Sequence, residues 1–149
     1  MLRGALLLRE GRVKQAGAVL KECEEALEEA GDRGEEVEEG VVLTLLHNLA
    51  FFYQLEWDLS NCSTYLEAIT YNLNRRLSRH KKQSTAIKHL LSQYWLVSCG
   101  VSSQMTQHEA ALLAARRVNE LVRESVSEES SVEGSSEMLR DFTSLPGNV

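Results

Sequence analysis

The chain has 149 residues, a net charge of −6 at neutral pH and one proline, Pro146. Its length supports a single domain with a real core, and an abundance of Leu, Ala, Glu, Lys and Arg points to helix along most of it. No apolar run approaches the ~20 residues that cross a bilayer, and MLRGALLLREGR has too short an apolar centre for a secretory signal, so the reading is a soluble cytoplasmic protein with no membrane partner.

The net charge hides a segregation. Residues 21–40 hold ten acids against Lys21 and Arg33, whereas residues 71–90 hold Arg75, Arg76, Arg79, Lys81, Lys82 and Lys88 with no acid. An acidic chain argues against a general nucleic-acid partner, although one basic stripe can still meet a local anionic surface. Cys23, Cys62 and Cys99 are odd in number and widely separated, and each falls at an apolar helical position, as small buried hydrophobes do.

In chain order, residues 11–31 place Val13, Ala16, Val19, Leu20, Cys23 and Leu27 on one face with acids opposite, which is an amphipathic helix. GDRGEE then reads as a helix stop and turn. A second helix is expected from about 37 to 55 and a third from about 58 to 77, with Asp58 in EWDLS capping the third and folding the pair into an antiparallel hairpin. SRHKKQS is a polar connection. A fourth helix runs from about 85 to 101, GVSSQMT breaks it with Thr106 as a cap, and a fifth spans about 107–123. From Glu124 the chain turns rich in Ser and Glu and poor in large apolar residues, so 124–149 is expected to be a disordered acidic tail in which MLRDF is a short docking candidate.

A spacing recurs along the helical part. Leu46, Leu49, Ala50 and Tyr53 are followed by Cys62 and Leu66; Gly4 and Leu7 are followed by Ala16 and Leu20; Trp95 and Cys99 are followed by Ala111, Ala115 and Val118. In each set the small residue of the first helix precedes that of the second by 12 positions, and small side chains are what a close helix crossing at such a pair requires. This pattern resembles the tetratricopeptide repeat, and LHNLAFFY resembles the first-helix wording of kinesin-light-chain-type repeats. The copies fall at about 1–34, 37–79 and 84–123. They are 46 and 49 residues apart rather than the family's ~34, lack its closing proline, and carry Ser98 and Ser102 where Leu and an aromatic are usual. The resemblance implies an all-α fold of antiparallel hairpins stacked as a short right-handed α-solenoid. A plain antiparallel helical bundle is the alternative. Neither end of such a stack is fully covered, which implies a longer solenoid or pairing with another subunit.

The resemblance also implies a groove lined by the first helix of each pair, with Arg9 from the first copy, His47, Asn48, Phe51 and Gln54 from the second, and Gln93, Leu96 and Gly100 from the third. Phe51 stands out because Phe52 and Tyr53 can fill the core while it faces away, and an aromatic flanked by amides suits a peptide or helix segment; packing against the next helix is its other reading. Gln93 and Val97 stand where the family's carboxylate clamp requires basic residues, so that mode of binding is rejected. Arg75, Arg76, Arg79, Lys81 and Lys82 form a basic patch around Ser78, whose Arg-Arg-Leu-Ser setting suits a basophilic kinase; a solvated connection neutralised by the acidic region is the alternative. His47, His80, His89 and His108 lack a second ligand at metal spacing, and no phosphate loop or nucleophile with a base is visible. The expectation is a non-enzymatic, cofactor-free scaffold with a protein partner, or else a structural subunit of a cytoskeletal or ciliary assembly.

Overall fold

The computed structural model describes the backbone of residues 2–143 and the side chains of 2–131, and the described residues are all-helical. The helices are α1 (Leu2–Arg9), α2 (Val13–Asp32), α3 (Glu39–Leu55), α4 (Leu59–Arg79), α5 (Ser84–Gln104) and α6 (His108–Thr143), with one 3-10 turn at Lys81–Gln83. Each packs against its neighbours in chain order, and α1 also reaches α3.

Four helices end in the same turn. α2 does so at Gly34 (φ +72°), with Gly34 N–H to Gly31 C=O and Glu35 N–H to Ala30 C=O, and at three others the turn leads straight into the next helix. Gly11, Trp57 and Thr106 adopt φ of +74°, +57° and +60°. At each, two N–H groups close the preceding helix in the 6→1 and 5→2 pattern: Gly11 N–H to Leu8 C=O and Arg12 N–H to Leu7 C=O, then Trp57 to Gln54 and Asp58 to Tyr53, then Thr106 to Ser103 and Gln107 to Ser102. The following residue opens the next helix, since Arg12, Asp58 and Gln107 accept the N–H of Ala16, Cys62 and Ala111. These three turns therefore repeat at the 46- and 49-residue intervals of the small residues. Asp58 caps α4 as expected, its carboxylate accepting the Asn61 N–H at 3.2 Å. Thr106 does not cap α6. It holds the left-handed position that ends α5, and Gln107 receives the first bond of α6.

Two apolar clusters form the core. One gathers Leu7, Leu8, Ala16, Leu20, Leu45, Leu49 and Phe52 from α1, α2 and α3. Here α2 and α3 meet where Phe52 lies over Gly17, and a Cβ at Gly17 would fall inside the ring's van der Waals envelope. The other cluster gathers Ala50, Cys62, Leu66, Ile69, Leu73, Ile87, Leu91, Val101 and Leu121 from α3 through α6. Tyr53 and Tyr65 touch both clusters and stack with ring centroids 5.5 Å apart. The Tyr65 hydroxyl donates to Glu24 on α2 at 2.5 Å, and burial first, then that bond, pushes its pKa up.

The expected boundary at Arg123 is not where the last helix ends. α6 continues to Thr143, and its Glu124 and Glu128 reach back to α5. Lys88, only 12 % exposed, pairs with both carboxylates, and Ser84 and Thr85 donate to Glu128. Composition misses this contact because it uses charged and hydroxyl groups rather than apolar area. The MLRDF side chains, and all of residues 144–149, lie outside the described residues.

Candidate partner-binding groove between α3 and α5

Along α3 the side chains sort by helical phase. Leu45, Leu49 and Phe52 are buried, so His47, Phe51 and Gln54 are left on an outer face. That face looks across to α5. His47 Nδ1 lies 2.8 Å from the Tyr94 hydroxyl, and the two rings meet edge to face with centroids 5.9 Å apart. Beside this contact is a half-enclosed cavity of about 190 Å³, walled by His47, Phe51 and Gln54 on α3 and by Tyr94 and Val97 on α5, with Ala50, Cys62 and Leu66 as its floor.

The lining carries no Lys, Arg, Asp or Glu. Burial pushes the Tyr94 hydroxyl pKa up; burial first, then the Asp58 carboxylate, does the same to the Cys62 thiol. Both groups stay protonated, and a thiol shifted in that direction is a poor nucleophile. The volume is below the ~300–1,000 Å³ of small-molecule pockets and is of the order of one or two large side chains. Such a pocket accepts an apolar anchor, with Phe51, 42 % exposed, at its rim and Gln54 and the His47–Tyr94 pair as polar neighbours.

Of the groove residues expected from sequence, His47, Phe51 and Gln54 come together here. Asn48 does not line the groove; it is buried, at 8 % exposure. Arg9 ends α1, while Gln93 and Leu96 are exposed on α5 and lie outside the cavity, Gln93 beside His89 at 3.2 Å. Tyr94 and Val97 take their place. Carrying one repeat onto the next selects the same face of each helix, but a groove between two helices is walled by facing sides, so the residues on α5 are one step round the helix from Gln93 and Leu96.

The basic patch is divided. Arg75 and Arg79 line a cleft with Glu36 and Glu38 from the α2–α3 link and Glu39 at the start of α3, and Arg75 also lies over the Tyr71 ring. Lys81 and Lys82 border a different crevice, shared with Lys88, Arg123 and Glu128. Arg76 is half-buried, and Ser78 is exposed with its hydroxyl bonded to the Asn74 carbonyl. Among the described residues no three His, Cys, Asp or Glu side chains gather to hold a metal ion, and no helix is long and apolar enough to cross a membrane.

No family model matches the chain, and no curated protein or solved structure matches it significantly.

Proposed function

We propose that this chain is a non-enzymatic interaction module of tetratricopeptide-like kind, working in the cytoplasm, that holds a peptide or helix segment in the α3–α5 groove. The observation that carries the reading is the cavity of about 190 Å³ between Phe51, Gln54 and His47 on one side and Tyr94 and Val97 on the other. It is apolar, partly enclosed and sized for an anchoring side chain, which is how short segments gain most of their affinity. Support for the helical-repeat part is that the turns leading directly into the next helix, at Gly11, Trp57 and Thr106, fall in the same register as the small residues, whereas the like turn at Gly34 is followed by a longer link. Structural service in a cytoskeletal or ciliary assembly is the second reading, favoured by exposed apolar side chains such as Leu2 and Leu6 on α1 and Leu112 and Val122 on α6.

The test is a peptide selection from a random library on the full chain, followed by binding measurements on Phe51→Ala and Val97→Asp. Selected peptides should share a large apolar residue and lose tenfold or more in affinity on either variant. Binders indifferent to both substitutions would move the site elsewhere.

A further inference from the structure

Helix α6 repeats α4 at an interval of 49 residues, but its outer face is open. On α4, Cys62, Leu66, Ile69 and Leu73 are each at most 3 % exposed, enclosed by α3 on one side and α5 on the other. Their register equivalents on α6 are Ala111, Ala115, Val118 and Val122. The first three are only half-buried and Val122 is 48 % exposed, because among the described helices α6 is packed by α5 alone. The fold thus places on α6 a surface that elsewhere in the same molecule is covered by a helix.

The open face has a seam of its own. Leu112, Ala115, Asn119, Val122 and Val126 follow one another at steps of three, four, three and four, the a/d spacing of a two-stranded coiled coil, and Asn119 falls at an a position, where a lone Asn fixes register and oligomer state. Leu112 and Val126 are 52 % and 56 % exposed. On a helical wheel the seam lies roughly 140° from the side that packs on α5, so a second helix can reach it without displacing α5. We infer that this face is covered by α6 of a second copy of the chain, in a parallel, two-fold symmetric pair with Asn119 facing Asn119.

Two alternatives within the chain fit less well. The α1 helix of another copy would have to dock head to tail through Leu2 and Leu6, which correspond to Asn48 and Phe52 on α3. It spans eight residues and carries Arg3 at the place of buried Leu49, so a guanidinium would enter the interface alongside exposed Arg116 and Arg123 of α6. An antiparallel α6 pair would set Arg116 against Arg123 of the other copy. The parallel pair sets these arginines beside Ala111, Val118 and Ser125 instead, where their stems add apolar cover. The seam is about 21 Å long and covers less than the ~800 Å² per partner of a standard complex, so the pair is a weak one. None of its residues belongs to the α3–α5 groove, and peptide binding and pairing can fail separately.

The experiment is sedimentation equilibrium of the full chain from about 5 to about 200 µM, which covers weak association. The average mass should rise from 16.7 kDa toward twice that value. Leu112→Glu/Val122→Glu should stay at the lower mass with an unchanged circular dichroism spectrum, and the milder Asn119→Lys should do the same if the double variant folds poorly. Val126→Cys should cross-link to itself under mild oxidation, while Leu113→Cys, off the seam, should not. The inference is overturned by a constant 16.7 kDa, by assembly that survives Leu112→Glu/Val122→Glu, by assembly that Leu2→Glu/Leu6→Glu abolishes, by pairing only after removal of residues 132–149, or by self-linking of Asn119→Cys without that of Val126→Cys.

Discussion

Helices α4 and α6 carry the same apolar register and meet opposite fates. On α4 the stripe from Cys62 to Leu73 is sealed between two neighbouring helices, while on α6 the stripe from Ala111 to Val122 has α5 on one side only. The α6 stripe is also the smaller one, with Ala115 at the place of Leu66 and Val at the places of Ile69 and Leu73, so both its own side chains and the missing flanking helix leave it less buried. The substitution with the largest effect should expose that difference. Leu73→Ala, deep in α4, should cost about 2–5 kcal/mol in denaturant titration through lost transfer energy and a cavity; a smaller loss would mean that the helices on either side can collapse onto the gap. Gly17→Ala comes next, at about 1–3 kcal/mol, because the Phe52 ring already fills the place of a Cβ and must be forced off its rotamer.

Smaller effects sharpen the comparison at the C-terminal hairpin. Thr106→Gly should stabilise by up to about 1 kcal/mol by relieving a left-handed, β-branched residue, and a thermal melt that falls instead would show that Thr106 makes a compensating contact. The clasp of Lys88 with Glu124 and Glu128 responds to pH at both limits. Hydrogen bonding to Lys88, then to Thr85, holds the Glu128 carboxyl below its ordinary 4.5, so its contribution is complete above that pH and disappears as pH falls through the lowered value. Hydrogen bonding to Glu128 raises Lys88 above 10.5, so its contribution is complete below that pH and is lost only as pH rises through the raised value. Amide exchange over residues 124–131 should therefore quicken in acid before the rest of the helix does, and Glu128→Gln should quicken it at neutral pH. The smallest effect is expected for Val122→Ala, the register partner of Leu73→Ala. In dilute solution it should shift stability by less than ~0.5 kcal/mol, and a loss equal to that of Leu73→Ala would mean that α6 is already covered there.

Much of the fold was legible because helical phase is a local property. The apolar stripe of α2, the capping carboxylate of Asp58 and the stop at GDRGEE all act within a few residues and lie where their side-chain chemistry puts them. Thr106 was misread because hydroxyl residues favour caps and left-handed turns are usually announced by glycine, as at Gly11; here the paired bonds to Ser102 and Ser103 impose the turn on a residue that does not prefer it. Of the groove, His47, Phe51 and Gln54 could be found as the residues left over once Leu49 and Phe52 were assigned to the core. Asn48 was carried into the groove by the repeat resemblance although its phase is that of a buried position. Tyr94 and Val97 depended on how α5 is rotated against α3, which no single helix encodes.

The nearest-neighbour order of the helices has a kinetic consequence. Closing each short turn brings together residues that are already near in sequence, so little loop entropy must be overcome before contacts form. With Pro146, the one proline, lying beyond α6, the helical part contains no prolyl bond to impose a phase of 10–100 s. Refolding should therefore proceed hairpin by hairpin, with the inner helices α3 and α4, each flanked by two others, the last to release their amide protons and the end helices α1 and α6 the first.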